Sequence, residues 1–166
     1  MNFAKISIKR SQIIFLQAVI VLVGVVALAL LIRLPLIEGR AVNLDLFSIY
    51  ADPFIIYGYM ASTFFFIALY QAFKLLRYIG RDKLFSLNSV KALGTIKYCA
   101  IILSILIVVA GLYIRIFHAE GDDPAGFLAI CIVTTFVSIV IATTTAVFER
   151  ILQGVIENKP EGESAV

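Results

Sequence analysis

The sequence predicts an all-α fold, a polytopic membrane protein with four transmembrane helices in a bundle, and three observations carry that prediction. Hydrophobic residues make up 61% of the chain and charged residues 15%, a balance outside the range of soluble globular domains. Four apolar runs, 13–32, 54–73, 98–117 and 127–148, each have the ~20 residues that a helix rising ~1.5 Å per residue needs to cross a hydrocarbon core ~30 Å thick. None of the runs alternates apolar and polar residues as a barrel strand does, and lipid admits only helices or closed barrels. The spans leave little chain outside the bilayer, so residues 1–166 read as one transmembrane domain, with 159–166 a disordered cytoplasmic tail.

The first run follows Lys5, Lys9 and Arg10, which together resemble the basic start of a signal peptide. Its apolar stretch is longer than a signal core of roughly 7–15 residues, and Ala27 and Ala29, the only Ala-x-Ala spacing near it, lie inside the hydrocarbon. The helix is therefore expected to stay as an anchor. The second run is thinned by Gly58, Ala61 and Ala68 and continues through Leu75, Leu76 and Ile79. A turn at Gly80-Arg81-Asp82 follows. Ser86 is placed to cap a helix, because its hydroxyl can accept from a free helix-start amide, and Leu87, Val90, Leu93 and Ile96 recur at helical spacing from there. The third helix is thus expected to begin well before the membrane. The fourth carries a ridge of small side chains, Cys131, Thr135, Ser138, Ala142 and Ala146, that lets a neighbour approach closely. Beyond the bilayer Phe148, Ile151, Leu152, Val155 and Ile156 keep the helical period until Pro160 ends it.

Lysine and arginine set the orientation. Of 14 such residues, only Arg33, Arg40 and Arg115 fall on the side holding Leu34 to Pro53 and His118 to Gly126; the rest flank the termini and the central loop. Both termini and the central loop are therefore expected in the cytoplasm. Arg33 and Arg115 are interface anchors, with stems in lipid and guanidinium groups reaching Glu38, Glu120 or phosphate. They also align with each other when AVIVLVGVVALALLIRLPLIEG is set on AIILSILIVVAGLYIRIFHAEG, which makes two tandem helical hairpins a second way to read the chain.

Chemistry is mostly missing from the sequence. No ionisable residue lies near the middle of a span, as ion-coupled transport usually requires. The outer turn HAEGDDPAG holds His118, Glu120, Asp122 and Asp123, but in no calcium-loop spacing and with one histidine. Cys99 and Cys131 fall near opposite membrane faces, too far apart for a disulfide. No enzyme motif occurs, so no catalytic residue, cofactor or metal site is expected and the protein reads as a non-enzyme. The central loop is the one conspicuous surface. Lys83, Leu87, Val90, Lys91, Leu93 and Lys97 combine charge and apolar side chains, and they fit either anionic headgroups or a cytoplasmic protein partner. The expectation is an interaction or regulatory component; a small transporter or channel-like protein and a membrane immunity or stress-protection factor are the alternatives.

Residues 67–102, IALYQAFKLLRYIGRDKLFSLNSVKALGTIKYCAII, closely resemble the signature of a bacterial family of small four-span membrane proteins, domain of unknown function 2975. GDDPAG and VSIVIATTTAVFERILQGVIENK are similar to its later part, so the resemblance runs from about Phe64 to the C-terminus. It implies a protein of the bacterial cytoplasmic membrane, with a small helix-turn-helix regulator as a partner, no direct nucleic-acid contact and no catalytic residue. Gly80 and Gly94 depart from the residues more usual in that family, and because glycine weakens a helix they bear on the continuity of the third one.

Overall fold

The structure, a computed structural model, describes residues 10–37, 50, 52–117 and 125–158. Among them lie four α-helices and no strand: α1 (Arg10–Ile37), α2 (Pro53–Ile79), α3 (Leu87–Phe117) and α4 (Ala125–Glu157). Each is long and apolar enough to cross a membrane, and each extends beyond the apolar run that predicts it.

Local chemistry sets the helix ends. Asp52 accepts a hydrogen bond from the Phe54 N–H at 2.8 Å, and Pro53 follows at the first helical position, where its missing N–H has no role to lose. α2 stops at Gly80, whose N–H donates to the Leu76 carbonyl at 3.0 Å, and Asp82 turns the chain with a left-handed φ of 56°. Ser86 caps α3 as expected. The Ser89 N–H points to its hydroxyl at 3.4 Å and the Val90 N–H to its carbonyl at 3.3 Å. α3 then runs unbroken through Gly94. Pro160, expected to end α4, lies outside the described residues, and the helix closes at Glu157 with a turn at Asn158.

α1 departs most from the sequence reading, which ends it at Ile32. It continues through Pro35 to Ile37. Proline has no N–H, so the Leu31 carbonyl four residues earlier loses its helical donor. The Tyr59 hydroxyl of α2 donates to that carbonyl at 3.0 Å, and the Tyr50 hydroxyl donates to the next one, Ile32, at 3.3 Å. Tyr59 thus supplies the donor that proline lacks, and the two tyrosines together tie the end of α1 to its neighbour.

Packing follows chain order: α1 lies on α2, α2 on α3 and α3 on α4, with α3 and α4 in the most extensive contact. Substantial contacts between non-consecutive helices do not occur among the described residues, so the expected bundle is an open row. The second hairpin is well formed, but the first is joined to it through α2 and α3 rather than standing apart. The Tyr57 hydroxyl crosses that junction to the Leu106 carbonyl at 2.7 Å.

Two levels along the row are spaced as the two faces of a membrane are. Lys97 and Arg115 are 18 residues apart on α3, about 27 Å along the axis and close to one hydrocarbon thickness. At the Arg115 level the Phe54 ring lies 6.3 Å from that of Tyr113 and 5.9 Å from that of Phe127, and Tyr113 lies 5.1 Å from Phe117. Aromatic rings collect at such interfaces because they have an apolar body and tolerate headgroups. The opposite end is the basic one, where α3 and α4 continue past Lys97 and Glu149.

Candidate functional site: the packed basic end of α3 and α4

Burial in α3 is concentrated toward that basic end, whereas the buried Cys131, Ser138, Ala142 and Thr145 of α4 lie along its span and only Leu152 lies past Glu149. Within α3 the buried residues are Ser89, Val90, Ala92, Leu93, Gly94, Ile96, Cys99 and Ala100, with only Gly111 elsewhere. Val90 and Leu93 meet Leu152 of α4, and Leu75, Leu84 and Ile156 pack around them. A helix surrounded by lipid gains little by hiding leucine, whereas one surrounded by water gains about 2 kcal/mol per buried side chain. A small core at this end is what water outside the helices demands.

Polar contacts hold the connecting loop on that core. The Ser89 side chain, fully buried, donates to the Lys83 carbonyl at 3.2 Å and shares a 3.2 Å hydrogen bond with the Ser86 hydroxyl. Gly80 brings the loop against α1, since a Cβ there would lie 3.4 Å from Ile13 Cδ1.

An ion pair closes the base of the projection. Lys97 Nζ lies 2.6 Å from Glu149 Oε2, with the side chains 22% and 15% exposed, and also sits 4.8 Å from the centre of the Tyr98 ring. Gly94 makes room for the carboxylate: a Cβ at that position would stand 3.0 Å from Glu149 Oε1. Any side chain at this position would press on the glutamate, so this glycine serves packing between helices rather than breaking its own.

The six residues singled out from sequence therefore divide. Val90 and Leu93 are core, because the apolar side of α3 turns toward α4, and Lys97 is committed to Glu149. Lys83, Lys91 and Leu87 remain on the surface, Leu87 66% exposed and beside an exposed Phe85. Arg33 and Arg115 are both exposed, at the end opposite Lys97. The small-residue ridge is confirmed in Cys131, Ser138 and Ala142, all buried, and in half-buried Thr135 and Ala146. Gly58 is different: a Cβ there would meet nothing within 4 Å, so it brings no helix closer. Thr134, Thr143 and Thr145 donate to carbonyls of their own helix, which consumes much of the polarity that could line a conduit. Both cysteines are free and buried. The turn carrying His118, Glu120, Asp122 and Asp123, and Glu38, lie outside the described residues.

Sequence reasoning missed the Lys97–Glu149 pair and the tyrosine contacts. A signal existed for the first in two opposite charges placed immediately beyond the basic ends of adjacent apolar runs. Tyr59 had none, because only the packing of α2 on α1 sets its hydroxyl against the carbonyl that Pro35 frees.

Comparison with known proteins agrees with this architecture. The family described as Protein of unknown function (DUF2975) matches residues 35–166. A relative, "Uncharacterized membrane protein YoaS" of Bacillus subtilis (strain 168), is 41% identical over 159 residues, 95% of this chain and 99% of its own length. No solved structure matches. The match spans the second to fourth helices and the packed basic end together, and the chain belongs to the DUF2975 family of membrane proteins.

Proposed function

We propose that the protein is a non-enzymatic docking component of the bacterial cytoplasmic membrane, with both termini and the packed end in the cytoplasm. One observation carries the reading: α3 and α4 continue past the membrane boundary and fold into a core of their own, on whose surface Lys83, Lys91, Phe85 and Leu87 are exposed. A loop needed only to hold the topology would require the charges and no core. A surface with fixed basic and apolar side chains fits a protein partner that offers carboxylates around an apolar cleft. The small helix-turn-helix regulator implied by the sequence resemblance is the partner to try first.

The orientation is tested by reporter fusions. Fusions after Lys91 and after Asn158 should read cytoplasmic, and one after Asp123 external; an external signal at Lys91 would sink the reading. Docking is tested by a photoreactive residue at Leu87 in native membranes. A specific crosslink to a protein is expected, lost in Phe85→Ser with insertion unchanged. Crosslinking to lipid alone, or loss only when Lys83 and Lys91 are neutralised, would leave the segment as a determinant of topology.

A further inference from the structure

We propose that the cleft between α3 and α4 at the aromatic end is a binding site for one acyl chain of an anionic phospholipid, whose phosphate is held by Arg115. The cleft has a volume of about 370 Å³, within the range of small-molecule sites. Its floor is small: Gly111 and Cys131 are both buried, and a Cβ on Gly111 would sit 3.5 Å from Cys131 Cβ, with Thr135 one turn further along. Its walls are large, with exposed Leu112 and Val108 on α3 and exposed Ile132 and Phe136 on α4. Helices that touch through small residues between flanking large ones leave a groove open to the surroundings, and in a membrane hydrocarbon must fill it.

Length and charge decide what fills it. On α4 the lining runs from Leu128 to Ile139, a rise of about 16 Å, or half of a ~30 Å hydrocarbon core. The groove therefore matches one leaflet. Arg115, also part of the lining, lies one turn beyond Gly111 and Leu112, at the headgroup end of that leaflet. A guanidinium has five N–H donors in a planar fork suited to phosphate, enough to serve a lipid together with a protein partner. Thr135 adds a half-buried hydroxyl that makes no hydrogen bond within the described residues and tolerates a chain sliding past it. The site is thus apolar along its depth and cationic at its mouth, as an anionic phospholipid is apolar along its tails and charged at its head.

The test uses the full chain in vesicles of phosphatidylglycerol and phosphatidylethanolamine in equal amounts, extracted in mild detergent, with retained lipid identified by mass. Phosphatidylglycerol should be enriched about fivefold, the scale of one basic residue's attraction to an anionic headgroup. Arg115→Gln should remove the enrichment, Arg115→Lys should keep it, and Arg33→Gln should leave it unchanged. A phosphatidylglycerol with a photoreactive acyl chain should label Leu112, Ile132 or Phe136. No enrichment in the unmodified protein, enrichment that survives Arg115→Gln, equal loss in Arg33→Gln, or labelling confined to other faces would each overturn the proposal.

Discussion

The two hairpins of this chain have similar lengths and similar greasiness but pack very differently. α3 and α4 bury small residues, Ala92, Gly94, Ala100 and Gly111 on one helix and Cys131, Ser138, Ala142 and Thr145 on the other, with Gly94 against Glu149 and Gly111 against Cys131. The valines, leucines and isoleucines of α1 are mostly about half exposed, and α2 has no buried residue. Gly24, where a Cβ would come within 3.1 Å of Leu69, is a close approach through a glycine there. Elsewhere α1 is held at points: Ile13 against Gly80 at the basic end, and Tyr59 and Tyr50 on its carbonyls at the other. Bulky apolar residues make a helix soluble in lipid, while small ones let it adhere to another, because no hydrophobic effect drives association inside a bilayer.

The sharpest break of that contrast is at Leu152, the most buried leucine of the basic-end core. Leu152→Ala should cost about 3 kcal/mol, the usual range for a leucine cavity. Val25→Ala on the exposed side of α1 should stay below about 0.5 kcal/mol. Denaturant titration in detergent compares them, and equal effects would mean that the basic end is not a core.

The ion pair comes next. Glu149→Ala leaves Lys97 without its partner and should destabilise the fold by less than Leu152→Ala does, because neither side chain of the pair is fully buried. Adding Lys97→Met should restore more than half of that loss. Additive losses in the double variant would show that the two charges do not interact.

Tyr59→Phe is the mildest. It leaves the Leu31 carbonyl without a donor at a cost of about 1 kcal/mol. The effect should appear as faster amide exchange in the last turns of α1, with α3 and α4 unchanged. Equal acceleration in α4 would mean that the two hairpins are one cooperative unit.

Four helices, the small ridge of α4 and the Ser86 cap were legible because they depend on run length, side-chain size and one hydroxyl, all local properties. The inward turn of Val90 and Leu93 was not. A period of 3.6 shows that Leu87, Val90, Leu93 and Ile96 share a side of a helix, but a partner protein and α4 satisfy that pattern equally well. Gly94 was ambiguous for the same reason. Its propensity argues against helix, and its worth lies in the space it leaves for Glu149, a residue 55 positions away.

By itself the sequence determined that the protein lives in a membrane, with four helices and a basic side, since hydrocarbon thickness and the cost of moving charge through it act on each segment separately. Only the tertiary structure decided that the helices form an open row, that Tyr59 supplies the donor missing at Pro35, and that Lys97 belongs to Glu149. Those outcomes depend on which side of one helix meets which side of another, and inside lipid that choice rests on shape and on single polar contacts that no local pattern contains.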